Sequence, residues 1–173
     1  EGAILSAAIS GRGNSTINVG KAGYVTQLNG DIVFDYDATG GSDINSNITV
    51  LPDGEKSHLK GNIYADNDTN ASVVDLTISN NATWYANRGK TTNDSNVDKL
   101  TLNGGVVDIQ GGTTVTVDTE AKGSGTIALG SDNDFFKVMG TNNLESLKVT
   151  QVGATADTMS ADQAEKAAQN LMD

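Results

Sequence analysis

Apolar and polar residues alternate along most of this chain in short runs of about three residues. Gly-, Asn- and Asp-rich clusters typical of turns lie between the runs. Alternation with period two places every second side chain on one face, as in a strand with one buried side. The runs cover 17–19, 32–34, 48–50, 76–78, 100–102, 107–109, 115–117, 127–129, 136–138 and 147–149. The pattern predicts an all-β chain of many short strands.

Two architectures accommodate many short strands, a β-sandwich and a parallel β-helix. Sandwich strands are usually longer and are joined by hairpin turns, whereas the runs here are short and unevenly spaced. In a β-helix each coil contributes short strands that stack on the next coil at about 4.8 Å. We therefore expect a right-handed parallel β-helix, a solenoid with coils of about 20–27 residues. Asn and Gly at its corners would supply the left-handed backbone of sharp bends.

The C-terminal segment has a different periodicity. Ser160 and Gln163 have the spacing of a capping box. Helical spacing then relates the apolar residues Ala164, Ala167, Ala168, Leu171 and Met172. This pattern predicts a short α-helix over about 161–172, preceded by a connector at 153–159. Its alanine-rich face buries little area, so the helix needs a partner surface.

Two roles for this helix would supply such a surface. We favour a linker, in which 154–173 leads from the last coil towards a following domain that the helix contacts. Deleting 160–173 would then leave the melting temperature nearly unchanged. The alternative is a cap that covers the last apolar coil, because an uncovered coil would aggregate.

Composition and charge narrow the class of protein. Hydrophobic residues make up 36 % of the chain and aromatic residues only 5 %, which indicates a thin, aliphatic core. The formal net charge of −11 argues against nucleic acid as a partner, because phosphate binding needs a basic surface. The chain has no cysteine, which excludes disulfides and thiolate metal sites. Because it opens at Glu1 without an initiator Met, we interpret it as part of a longer precursor.

A series of motifs follows in a specific order over 60–153. A leading strand precedes a tryptophan among Asn and Thr, and a polar loop, Leu-x-Leu and Asn-Gly come next. The series continues with a strand and then a strand that contains Gly-x-Gly-Thr. It ends with a Ser-Asp step before a hydrophobic pair and Val-x-Gly, followed by a closing Leu-x-Val. These elements fall on Leu76, Ile78, Trp84, Asn96, Val97, Leu100, Leu102, Asn103, Gly104, Val107, Ile109, Gly123, Gly125, Thr126, Asp134, Phe136, Val138, Gly140, Leu147 and Val149. The series resembles the C-terminal passenger region of classical bacterial autotransporters, the pertactin-like β-helix with its autochaperone segment.

The resemblance implies a non-enzymatic protein without a cofactor, located on the cell surface or secreted after export across the outer membrane. It implies that 60–153 is the folding seed and stalk of an adhesin or self-associating protein, and that 1–59 forms further N-terminal coils. The implied partners are the outer-membrane barrel of the same precursor and a host surface or a second copy. The implied folding core consists of Trp84, Leu100, Leu102, Gly104, Val107, Ile109, Gly125, Ile127, Phe136 and Val138.

Trp84 is the only tryptophan, and its polar surroundings leave two interpretations. The resemblance implies a core anchor in the last coils, where the side chain buries on the order of 200 Å². The alternative is a surface aromatic that stacks on sugars beside Tyr85. Alternation separates the two residues, so Tyr85 points outward if Trp84 points inward.

Residues with catalytic or metal-binding potential are few. His58, the only histidine, lies in DGEKSHLKG, which we interpret as a solvated loop; no Ser-His-Asp arrangement is indicated. Asp66 with Asp68 and Asp132 with Asp134 could each offer oxygen ligands to calcium. We favour Asx turns at coil corners for both pairs.

Two further functional classes fit the same strand pattern. The first is a carbohydrate-active or carbohydrate-binding β-helix similar to a polysaccharide lyase, which would gather carboxylates on one outer face. The second is a phage tail-fibre module, which would form an obligate trimer. A barrel-forming domain after Asp173 in the precursor would favour the autotransporter over both.

Overall fold

The computed structural model describes residues 4–6, 15–35, 46–66, 73–87, 94–151, 154–155 and 171–172. Over these residues the chain is all-β and forms a parallel β-solenoid. This confirms the fold class expected from the alternation. Within the same ranges, no helix is long and apolar enough to cross a membrane.

Most strands of the solenoid are short. In chain order they are β1 (Ile4–Ser6), β2 (Ser15–Val19), β3 (Gln27–Asn29), β4 (Ile32–Asp35), β5 (Ser46–Val50), β6 (His58–Lys60), β7 (Ile63–Asp66), β8 (Val73–Ser79), β9 (Thr83–Asn87), β10 (Ser95–Gln110), β11 (Thr114–Leu129), β12 (Phe135–Val138), β13 (Thr141–Leu144), β14 (Lys148–Gln151), β15 (Ala154–Thr155) and β16 (Leu171–Met172). Every alternating run of the sequence lies in one of these strands, apart from Leu147, which immediately precedes β14.

Three parallel ladders, one on each side of the solenoid, join successive coils. The first face stacks β2, β5, β8, the middle parts of β10 and β11, and β13. The second face stacks β1, β3, β6, β9, the last parts of β10 and β11, and β14. The third face contains β4 on β7, and the first parts of β10 and β11 followed by β12 and β16.

Coil length varies along the chain. On the second face, fewer residues separate Leu5 from its partner Leu28, and Val107 from its partner Ile127, than separate Leu28 from its partner Leu59. The coil from Leu28 to Leu59 is longer than expected, and most of its additional residues lie between Ile32 on the third face and Asn47 on the first. In β10 and β11 the corner between the first and second faces is turned within a single strand.

Glycines allow β10 and β11 to turn this corner without interruption. Each strand has 16 residues, so 103–105 and 123–125, predicted as turns between strands, lie inside strands. Gly104, with φ of 76°, is the extra residue of a bulge where the register between β10 and β11 shifts. A Cβ added at Gly125 would lie 2.4 Å from the carbonyl oxygen of Gly105. Only glycine permits this approach of one backbone to the next.

The interior is aliphatic, as the composition indicates. The inward row of the second face consists of Leu28, Leu59, Trp84, Val107, Ile127 and Val149. The inward row of the first face consists of Val19, Val50, Leu76, Leu100 and Ala121. At the corner after β8, Asn80 and Asn81 have φ of 52° and 63°. This is the left-handed backbone expected of corner asparagines.

The C-terminal residues differ from the helix predicted over 161–172. Residues 161–170 lie outside the described part of the chain. Leu171 and Met172 form a strand instead, paired in parallel with Phe136 and Lys137 of β12. The helix prediction is therefore wrong at 171–172, because the backbone groups at the edge of β12 offer ladder hydrogen bonds that an alanine-rich helix could not make. Together with β15, which pairs antiparallel with β14, this strand lies against the last coil as a cap does.

Deleting 156–173 is expected to lower the melting temperature by about 2–6 °C. The deletion removes β16 and exposes the edge of β12, a loss of about 1–2 kcal/mol in backbone hydrogen bonding. The exposed edge should also promote self-association. Circular dichroism melts and light scattering measure both effects. Replacing Leu171 and Met172 by proline, which donates no ladder hydrogen bond, should reproduce part of the loss. An unchanged melting temperature in both proteins would favour the linker interpretation.

Asp98 closes the corner between the third and first faces. Its Oδ2 accepts a hydrogen bond from the backbone N–H of Val74 in the preceding coil at 2.7 Å. Burial raises the pKa of this carboxyl and Asp118 raises it further, while the Val74 N–H and Lys99 oppose the shift. A carboxyl with a raised pKa in the folded state adds stability when it is protonated. That contribution is present at acidic pH and is lost as the pH rises through the folded-state pKa.

Asp98→Asn is expected to raise the free energy of unfolding at pH 7 by about 0.5 kcal/mol, a small value because solvent screens this half-buried carboxylate. The amide oxygen still accepts the Val74 hydrogen bond, but the buried charge is gone. At pH 3 the wild-type carboxyl is largely protonated as well, so the difference should shrink towards zero. Urea denaturation at both pH values measures it. Destabilisation at pH 7 would show that the charged hydrogen bond outweighs burial.

Candidate functional site

Trp84 is a core residue. It is the largest fully buried side chain in the described part of the chain, with 0 % exposure. Leu59 and Val107 of the neighbouring coils flank it in the inward row. Its Nε1–H donates to the carbonyl oxygen of Gly61 at 2.9 Å, which satisfies the one polar group of the indole. The surface-aromatic interpretation of Trp84 is therefore wrong, and Tyr85 beside it points outward.

The residues that the resemblance implies for the folding core are of two kinds, buried apolar side chains and two glycines at corners. Those at most 3 % exposed are Trp84, Leu100, Leu102, Val107, Ile109, Ile127, Phe136 and Val138. Gly125 lies at the corner where two backbones meet. Gly104 is exposed, and a Cβ added there would meet nothing within 4 Å. The stacked interior thus contains this set except for Gly104, whose contribution is the backbone angle of the bulge.

A cluster of polar and aromatic side chains lies on the outer side of the second face. It consists of Gln27, Asn29, His58, Lys60 and Tyr85, and we call it the amide–aromatic surface. The ladder register brings these residues together, because Gln27 lies opposite His58, and Lys60 lies between Asn29 and Tyr85. Three consecutive coils therefore contribute to one surface.

Side-chain contacts hold the amide–aromatic surface in place. His58 Nε2 lies 3.0 Å from Asn29 Oδ1. The rings of His58 and Tyr85 meet edge to face, with centroids 6.4 Å apart at 69°. The Lys60 ammonium lies 5.4 Å from the centroid of the Tyr85 ring, within the range of a cation–π interaction. The Gln27 side chain donates to the carbonyl oxygen of Lys56 at 3.1 Å.

His58 lies in strand β6, so its interpretation as a solvated loop residue is wrong. The reason is Leu59, whose burial aligns the triplet with β3 and β9. Burial lowers the pKa of the imidazole, and Lys60 lowers it further, which favours the neutral ring at pH 7. The Asn29 oxygen favours the tautomer with the proton on Nε2, which leaves Nδ1 as an acceptor. The imidazole thus contacts an amide and an aromatic ring.

Asp134 has a structural role. It is fully buried, and its Oδ1 accepts hydrogen bonds from the backbone N–H groups of Gly112 and Thr113 at 2.8 and 3.0 Å. Its Oδ2 accepts the Ser131 hydroxyl at 2.9 Å. The carboxylate thus joins the turn before β12 to the corresponding turn of the preceding coil. Asp132 in the same turn is exposed.

The other acidic pair is only partly described. Asp66 ends β7, and Asp68 lies outside the described residues. In the part of the chain that the structure covers, no group of three or more His, Cys, Asp or Glu side chains could hold a metal ion. Asp134 instead accepts hydrogen bonds from backbone donors of the preceding coil, a contact between coils rather than the expected local Asx turn.

The amide–aromatic surface was not predicted as a unit from the sequence. Its members come from different coils, and their proximity depends on the long-range pairing of Asn29 with Lys60 and of Lys60 with Tyr85. The two pairings span loops of different length, so no fixed repeat relates the three positions. The triplets QLN and HLK, in which a leucine stands between two polar residues, do indicate short strands with the leucine inward. Because each has only three residues, the sequence alone did not distinguish them from loops.

These features define a parallel β-solenoid with an aliphatic interior and a clustered polar–aromatic outer surface. Comparison of the chain with protein families, curated proteins and solved structures finds no match.

Proposed function

We propose that this chain is a non-enzymatic β-helical segment from the C-terminal passenger region of a bacterial autotransporter. It would be exported across the outer membrane and displayed on the cell surface or secreted. The order of motifs over 60–153 supports this proposal, together with a parallel solenoid in which Trp84 is stacked between coils. In this role the protein is the stalk and folding seed of an adhesin or self-associating protein. The barrel of the same precursor would be its first partner.

The observation that carries the folding-seed role is the ladder between β10 and β11. Their pairing extends from Ser95 opposite Val115 to Ile109 opposite Leu129, with only two register shifts. It passes over all three faces, and β12, β13 and β14 then pair with β11. In the earlier coils the corresponding contact is divided among three separate short ladders, β2 with β5, β3 with β6 and β4 with β7. Since each coil edge is a template for its neighbour, we expect the coils of 94–151 to form first.

Pulsed hydrogen exchange during refolding tests this order. Amides of 95–129 should become protected before those of 46–60. Limited proteolysis of the native protein should likewise leave a fragment covering 60–153 after 1–59 has been digested. An N-terminal fragment that survives digestion of the C-terminal half would contradict the folding-seed role.

Labelling of cells tests the location. Antibodies against this segment should label intact bacteria that produce the full precursor, with permeabilised cells as the control. Labelling only after permeabilisation would contradict surface display.

Two measurements on the purified protein distinguish the other functional classes. Depolymerisation of a polysaccharide would favour a carbohydrate-active enzyme, and an obligate trimer in light scattering would favour a tail-fibre module.

A further inference from the structure

We propose that the amide–aromatic surface binds a neutral polysaccharide. This site lies on β3, β6 and β9, the coils on the N-terminal side of the β10–β11 ladder that carries the folding-seed role. The two proposals therefore rest on different observations and can fail separately.

The first argument is the regular spacing of the surface. Asn29, Lys60 and Tyr85 occupy equivalent outward positions in three consecutive coils, and coils stack at about 4.8 Å. The row thus extends over about 10 Å along the solenoid axis. A linear polymer laid along this axis meets one polar or aromatic side chain per coil. This repeated geometry suits a repeating ligand.

The second argument is the chemistry of the side chains. Sugar hydroxyl groups both donate and accept hydrogen bonds, and amides, neutral imidazole and phenol match them in both roles. His58 and Asn29 hold each other at 3.0 Å, and the Tyr85 ring is fixed by His58 and by the Lys60 ammonium. Side chains that are already ordered lose less entropy on binding. The surface therefore has the groups and the rigidity of a carbohydrate site.

The third argument is charge. The strands β3, β6 and β9 carry one lysine and no carboxylate, although the chain has a formal net charge of −11. The three strands that form the surface thus contribute no acidic side chain, and Asp108 is the next residue of the ladder after Tyr85. A polyanion would need several cations and would be repelled by the rest of the protein. A neutral polysaccharide meets neither obstacle.

Titration of the full chain with linear hexasaccharides tests the proposal. The neutral probes are β-1,4-glucan, β-1,3-glucan, β-1,4-mannan, β-1,4-xylan and α-1,4-glucan, and the acidic probe is an α-1,4-galacturonan. At least one neutral probe should shift the backbone amide resonances of β3, β6 and β9, and the acidic probe should bind more weakly. Absence of binding by every neutral probe, tighter binding of the acidic probe, or shifts confined to other strands would overturn the proposal.

Substitutions separate this surface from general effects on the fold. Tyr85→Ala and His58→Ala should each weaken binding of the neutral probe by at least about tenfold, equivalent to about 1.4 kcal/mol. Tyr64→Ala is the matched control, because Tyr64 lies on the third face and is half-buried as Tyr85 is. The affinity of the Tyr64→Ala variant for the neutral probe should stay near that of the wild type. Equal losses in Tyr85→Ala and Tyr64→Ala would overturn the proposal, and the resonance shifts of the wild type decide the matter if a variant fails to fold.

Discussion

Trp84→Ala is expected to lower the free energy of unfolding by about 3–5 kcal/mol, the range of large aromatic truncations in packed cores. The indole is fully buried in the inward row between Leu59 and Val107. Its removal leaves a cavity between stacked coils, whose backbones are held apart by ladder spacing and cannot collapse into it. The substitution also removes the donor to the Gly61 carbonyl oxygen, which adds the cost of an unsatisfied polar group.

Urea denaturation followed by circular dichroism measures this loss. Trp84→Phe keeps part of the ring but not the N–H donor, so its cost should be clearly smaller. Tyr85→Ala changes the adjacent outward residue and should cost about 1 kcal/mol or less. The wild-type tryptophan should emit at short wavelength and shift to longer wavelength on unfolding. Native emission that already resembles tryptophan in water would contradict the burial on which this prediction depends.

Asp134→Ala is expected to destabilise the protein by about 2–4 kcal/mol, because its carboxylate accepts hydrogen bonds from two backbone N–H groups and one hydroxyl. Hydrogen bonds to a charged group are the stronger kind. Without the carboxylate, the buried N–H of Thr113 loses the acceptor seen in the structure. The turn before β12 also loses its link to the preceding coil.

Two control variants separate the hydrogen bonds from the charge. Asp134→Asn keeps an Oδ1 acceptor for Gly112 and Thr113 and should cost less than half as much as the alanine variant. Asp132→Ala changes the exposed acid of the same turn and should cost less than about 1 kcal/mol. Melts with and without calcium test the metal interpretation. A calcium-dependent rise in melting temperature that disappears in Asp134→Ala would show that a metal site was overlooked.

The long β10–β11 ladder and the amide–aromatic surface lie in different coils of the solenoid, which bears on the proposed folding-seed and binding roles. The ladder over 94–151 is long and nearly continuous, whereas the amide–aromatic surface lies where coils are larger and their pairings shorter. A folding seed needs many pairings that form together. A binding surface needs exposed side chains in fixed positions, which short strands supply once the coils beneath them are stacked. Under the two proposals, the binding surface and the folding seed would occupy successive parts of the solenoid, joined by the pairing of β9 with β10.

Alternation in the sequence was sufficient to determine the class of fold and much of its core. Period two is a local property of a strand, so 107–109 and 127–129 could be assigned an inward face without knowing their neighbours. The low aromatic content indicated an aliphatic interior. Alternation placed Trp84 and Tyr85 on opposite faces, and the structure then showed that Trp84 is the inward one. Asn80 and Asn81 fulfil the expectation of left-handed corners, because backbone preference is also a property of single residues.

Only the tertiary structure decided which coils align and what their alignment brings together. The number of residues between paired positions on the second face varies from coil to coil, and no local pattern in the sequence predicts it. The amide–aromatic surface depends on that register, and so does the link from Asp134 to Gly112 and Thr113. The strand at Leu171 is a further case, since its helical spacing was overridden by the hydrogen-bonding groups at the edge of β12. Local periodicity sets the face of each residue, whereas contacts between coils depend on closing long loops and pairing distant edges.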